Sequence, residues 1–239
     1  MPLHPGASPT HDASGEALNA PILAIVGAWL AFMIGLAADG TVDSPASFGV
    51  AGTVGAVIVA VGFAAASRCR RLPQRSHSHR VRLVVLSIAV GGAVGLVNLA
   101  ANWAITEADP ALRALLVERI KAKEPWEVLV TGPMMEEVVF RLFVMSVMAW
   151  LVYRNAKREK HAFAIALVGS AVIFAVPHLE RTLPDASMLA GYYVAALMVK
   201  YTLLGVPLGW VFWRWGLPHA IICHSGANAT HMALQWRVF

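Results

Sequence analysis

An apolar run from Trp126 to Val152 is long enough to cross a bilayer, yet it carries Glu136, Glu137 and Arg141 close together. Such a run has few ways to fold. It must be helical, because in lipid a spanning segment has to satisfy its own backbone polar groups. On insertion scales each ionised side chain costs about 2.5–3.5 kcal/mol at mid-helix, so three facing lipid would cost on the order of 8–10 kcal/mol. They must therefore be paired, or face a wet interior.

Helical spacing sorts the three. Glu137 and Arg141 are four apart and share a face, with the acid toward the N-terminus, the better order for an ion pair. Glu136 points about 100° away from Glu137 and is left without that partner. The pair reads as glue between helices; Glu136 reads as a group kept for chemistry.

The rest of the chain sets the context. Of 239 residues, 58% are hydrophobic and 14% charged, the composition of one membrane-embedded bundle. The net charge of +5 is clustered: six arginines lie from Arg68 to Arg82, and four basic residues from Arg154 to Lys160. In so apolar a chain these read as cytoplasmic loops beside lipid headgroups, not as a nucleic-acid surface. Cys69 and Cys223 are far apart and define no disulfide framework.

Met1 to Asn19 is polar and lacks Lys and Arg, which predicts a disordered tail and not a signal peptide. Residues 20–239 are expected to form a single membrane domain, with its motif-bearing core at 126–239. The predicted fold is an all-α polytopic bundle of about seven spanning helices: Ala20–Ala38, Phe48–Ala66, Val81–Ile105, Trp126–Val152, Ala162–His178, Leu189–Trp213 and Pro218–Trp236. Between the third and fourth, Thr106 to Pro125 has an Asp109-Pro110 helix start and then Leu112, Leu115, Leu116 and Ile120 at helical spacing. This predicts one interfacial amphipathic helix. The two basic loops place the N-terminus inside, whereas Arg113, Arg119, Lys121 and Lys123 argue for the opposite orientation. Gly205 and Gly209 offer a small-residue packing face in the sixth span. Lys200 lies mid-span, where snorkelling or a later helix start would account for it.

Three polar features thus fall on three separate spans: Glu136, His178, and His224 with Asn228 one turn further on. Each alone is compatible with a structural hydrogen bond between helices. Their order, Glu-Glu-x-x-x-Arg from Glu136, Phe-x-x-x-His from Phe174 and His-x-x-x-Asn from His224, resembles the CAAX-protease and bacteriocin-processing (Abi) family of membrane peptidases, to which the Ras-converting enzyme belongs. Pro133 and the turn Gly209 to Gly216 are also similar to that family. The resemblance covers Pro133 to Asn228. Leu142 stands where the family usually has glycine, and Pro177 precedes the motif histidine; the expected effects are a narrower cavity and a shifted His178.

The resemblance implies a glutamate-dependent intramembrane peptidase that needs no cofactor or metal. Glu136 would be the general base for the attacking water, and His178 would hold and activate that water. His224 and Asn228 would donate to the tetrahedral oxyanion, with Glu137 and Arg141 in support. A carboxylate desolvated between helices is a stronger base than one in water, which suits this role. The substrate would be a peptide or membrane protein in the bilayer, and the location a bacterial inner membrane crossed several times; the oligomeric state is left open. Two other readings stay in view. Glu136, His178 and His224 offer a zinc peptidase three ligands from three helices, although Asn228 stands where the usual His pair would have its second ligand. Alternatively the chain is a non-enzymatic membrane transporter or a chaperone-like partner-binding protein, whose buried Glu and His network with the mid-span Lys200 would relay protons. Cys223 and Ser225 neighbour His224 in sequence and so point away from it, which excludes both as its nucleophilic partner.

Overall fold

The computed structural model describes residues 27–30, 32–33, 44–69, 77–107, 113–114, 118, 124–156, 158–182 and 191–238. Among them every regular element is helical. Helix α1 is Pro45–Cys69 and α2 is His77–Glu107. A continuous helical stretch over 125–156, here α3, joins Glu127–Thr131, Gly132–Glu136, Glu137–Met145 and Ser146–Ala156. Then come α4, Glu159–Thr182, α5, Gly191–Trp215, and α6, Leu217–Val238.

Among the described residues four segments are long and apolar enough to cross a membrane: Gly49–Arg68, Val81–Glu107, Glu159–Leu179 and Gly191–Trp215. They coincide with the second, third, fifth and sixth expected spans. The expected fourth and seventh, α3 and α6, are helical but fall outside that group: α3 is divided into π- and α-wound segments, and α6 is interrupted by His219, His224, Asn228 and His231. Only six residues of the expected first span are described, all helical. The polar tail and most of the expected amphipathic helix lie outside the described residues. Two boundaries move. Helix α2 starts at His77, so Arg80 and Arg82 are helical and not in a loop, and it continues through Thr106 to Glu107.

Helix α3 departs most from the expected geometry. Glu127–Thr131 and Glu137–Met145 are π-wound, with backbone bonds reaching five residues back instead of four. The carboxylate pair therefore sits where an α-helical segment hands over to a wide one, at Glu136 and Glu137.

The bundle closes around α3. Val138, Leu142 and Met145 are buried with Val59 of α1 and Leu208, Val211 and Phe212 of α5. Leu142, which stands where the family usually has glycine, lies against Gly62 of α1 with its backbone and side chain. Gly205 and Gly209 face α4, against Ala171 and Leu167, as their spacing indicates. A single residue, Gly216, turns the chain from α5 into α6 at φ 102°, a conformation that costs a side chain dearly.

The closest approach in the bundle is between α2 and α6. A Cβ on Gly91 would overlap the carbonyl oxygen of Cys223, and one on Gly95 the carbonyl oxygen of Ala227. These glycines, four apart, let two backbones touch. Cys223 and Ala227 face α2, so His224 and Asn228, one residue later, are turned about 100° toward the interior. Gly91→Ala and Gly95→Ala should each lower the thermal midpoint in detergent, since overpacking costs typically about 1–3 kcal/mol. Gly92→Ala, whose added carbon meets only Thr230 Oγ1 at 3.7 Å, should leave it unchanged. Equal behaviour of the three variants would contradict this packing.

Candidate active site

Glu137 and Arg141 are fully buried, with Arg141 Nε 3.3 Å from Glu137 Oε2. The ion pair expected from their spacing is present, but it is Coulombic: neither Glu137 Oε2 nor any guanidinium nitrogen makes a hydrogen bond. The guanidinium lies over the Phe174 ring, 4.8 Å from its centroid, so a π face takes part of the charge.

Glu136, 8% exposed, lies off the face of the Glu137–Arg141 pair in sequence and meets imidazoles from two other helices. Its Oε2 lies 3.7 Å from His178 Nε2 and 3.8 Å from His224 Nε2. His224 meets both glutamates, because its other nitrogen, Nδ1, donates to Glu137 Oε1 at 2.9 Å. One imidazole thus joins two consecutive carboxylates. The expected Glu137–Arg141 pair is present, and His224 links it to Glu136.

The partners fix the imidazoles. His178 Nδ1–H donates to the carbonyl of Phe174, one turn earlier on α4, at 2.8 Å. A carbonyl only accepts, so in the neutral ring His178 Nε2 carries the lone pair, turned toward Glu136. Pro177 lies inside α4, which continues to Thr182. The His178 ring is sandwiched between Phe174, at 4.4 Å between centroids, and Tyr201 of α5, at 4.5 Å. Glu136 from α3, His178 from α4 and His224 from α6 therefore converge, buried or half-buried.

Asn228 is held from another side. Its Nδ2 donates to the main-chain carbonyl of Val128 at 2.7 Å. That carbonyl is free for a reason written in the sequence. In the π register the N–H of Gly132 bonds Glu127, and the next donor in line would be residue 133, a proline without an N–H. Asn228 fills the gap, and its second N–H is left to point elsewhere.

Val128 and Tyr201 were not singled out in the sequence, and Phe174 stood there only as the first residue of its motif, without a role. Phe174 supplies a carbonyl to His178, a face to Arg141 and an edge-on contact to His224 at 6.1 Å between centroids. Its position four residues before His178 was the available signal. Pro133 was the signal for Val128; Tyr201 had none. Among the described residues no group of three His, Cys, Asp or Glu side chains is arranged to hold a metal ion.

The Asn228–Pro133 linkage is testable by a double-variant cycle. Asn228→Ala leaves a half-buried carbonyl without its partner and should destabilise by about 1 kcal/mol. In a Pro133→Ala background a new N–H stands in the five-back register to Val128, so the same truncation should cost less. Additive losses in thermal unfolding would contradict the linkage.

Residues 112–230, about half of the chain and all of the converging side chains, match the protein-family model described as Rce1-like, type II CAAX prenyl endopeptidase. No curated protein and no solved structure matches the chain. With Glu136, Glu137, Arg141, His178, His224 and Asn228 inside the matched region, this all-helical membrane chain belongs to the Rce1-like family of CAAX prenyl endopeptidases.

Proposed function

We propose that this chain is a glutamate-dependent peptidase that hydrolyses a peptide bond in or beside a bacterial inner membrane, with residues 20–239 as one membrane-embedded domain. The observation that carries the reading is the pair of imidazole Nε2 atoms, 3.7 and 3.8 Å from one oxygen of Glu136. Those gaps are too long for direct hydrogen bonds, and a water set off the line between the atoms lies within bonding reach of them.

Such a water donates one proton to Glu136 Oε2 and the other to the lone pair on His178 Nε2. Its own lone pair is left for the scissile carbonyl carbon. As the C–O bond forms, Glu136 takes the proton and the carbonyl pair moves onto its oxygen. Asn228, held by Val128, offers its second N–H to that oxyanion. His224 offers Nε2–H and is then doubly protonated, since Nδ1–H is given to Glu137. With that charge the ionised set is balanced: Glu136 and Glu137 against Arg141 and His224, as an interior of low dielectric requires. The proton on Glu136 then passes to the departing amine as the C–N bond breaks.

The family's description names a prenylated CAAX chain end as substrate, and such a peptide is the first to assay. In detergent, Glu136→Gln should unfold close to the parent temperature and lose turnover. Glu137→Gln removes a partner from both Arg141 and His224, so it should destabilise by about 3–5 kcal/mol as well as slow cleavage. Asn228→Ala should lower kcat about a hundredfold to a thousandfold. Exhaustive chelation should leave the parent active. Near-parent cleavage by Glu136→Gln would sink the proposal, and activity lost to chelator and restored by zinc would transfer it to a metallopeptidase.

A further inference from the structure

A second buried polar set stands beside the first, and the mechanism above does not use it. Lys200 is 6% exposed on α5. It neither snorkels nor begins the helix. It lies nine residues after Gly191 and fifteen before Trp215, about 14 and 22 Å from the two ends at 1.5 Å per residue. Its ammonium donates to Asn102 Oδ1 of α2 and lies 4.4 Å from the centroid of the Tyr201 ring. Because an ammonium only donates, Asn102 must turn its oxygen to Lys200, and its Nδ2 donates to His231 Nε2 of α6 at 2.8 Å.

Every partner of this cation is neutral: an amide and a ring face. Among the described residues no carboxylate forms an ion pair with it. The buried guanidinium nearby has Glu137; this ammonium has nothing of the kind. A charge held in the middle of a bilayer bundle calls for a counter-ion, and lipid phosphates sit at the helix ends, too far away. What lies close is the reaction centre. The Tyr201 ring has Lys200 at 4.4 Å and the His178 ring at 4.5 Å, so one aromatic ring separates the ammonium from the imidazole beside Glu136.

We propose that Lys200, oriented by Asn102, is a subsite for the C-terminal carboxylate of the peptide substrate, next to the scissile bond held at Glu136. It rests on the peptidase reading for the identity of the ligand. An extended chain advances about 3.3–3.6 Å per residue, so a carboxylate within a few residues of the reacting carbonyl can reach across a single ring. The subsite would make the enzyme selective for cleavage close to a free carboxyl terminus, and Lys200 would act on binding and not on the chemical step.

The test compares two probes that differ only in this charge, N-acetyl-leucyl-leucine and its C-terminal amide, by thermal unfolding of the detergent-solubilised full chain. The acid should raise the parent's midpoint by several degrees more than the amide. That difference should vanish in Lys200→Gln and survive in Lys200→Arg. In cleavage of a prenylated CAAX peptide, the acid form should have a KM about tenfold to a hundredfold below the amide form in the parent, with kcat alike; Lys200→Gln should erase the KM gap. Equal shifts by acid and amide in the parent, a comparison that needs no variant to fold, would overturn the subsite. So would an acid preference that persists in Lys200→Gln, or a Lys200-dependent shift by octyl phosphate but not by the dipeptide acid. A carboxylate-dependent shift in a chain that cleaves nothing supports the subsite and rejects only the peptidase reading.

Discussion

In an interior of low dielectric two adjacent carboxylates cannot both stay ionised unless cations lie among them, and the proposed mechanism gives those places to Arg141 and a protonated His224. Arg141 serves Glu137 alone, from the same helix. His224 arrives from α6 and meets both glutamates through its two nitrogens. Whatever sets the position of α6 therefore sets the electrostatics of the whole site. That position depends on the backbone contact of Gly91 and Gly95 with Cys223 and Ala227, immediately beside His224 and Asn228.

Much of this was legible. The cost of three charges in an apolar run marked the site, the four-residue spacing predicted the Glu137–Arg141 pair, and the order of three motifs named the helices that meet. A helical wheel speaks only of neighbours on one helix, so it left open what Glu136 meets from α4 and α6. No periodicity announces that α3 turns π-helical at Glu137, nor that an imidazole from another helix will reach across to both acids. Gly91 and Gly95 stood in plain view as a small-residue pair, but a spacing alone does not say which backbone will lie against it. The same holds for Lys200: its partners, Asn102 and His231, come from helices far away in the chain.

The helices without motif residues also have work to do. Helix α1 presents Gly62 to the backbone of Leu142 and so backs the wide-turn segment of α3. Helix α2 locates α6 and, through Asn102, orients Lys200. Proline enters twice with different results. Pro177 sits within a helix that continues past it to Thr182, while Pro133 leaves a carbonyl that gives Asn228 its anchor. The catalytic frame proposed here thus relies on a backbone defect in α3 as much as on its charged side chains.

The central claim is that Glu136 activates a water and is not itself the nucleophile. A single turnover of a prenylated CAAX peptide in water enriched in oxygen-18, with mass analysis of both product and protein, tests it directly. The account predicts one labelled oxygen in the new C-terminal carboxylate of the product and none in the peptide that contains Glu136. Label in the Glu136 carboxylate, the mark of an acyl-enzyme intermediate, would contradict it.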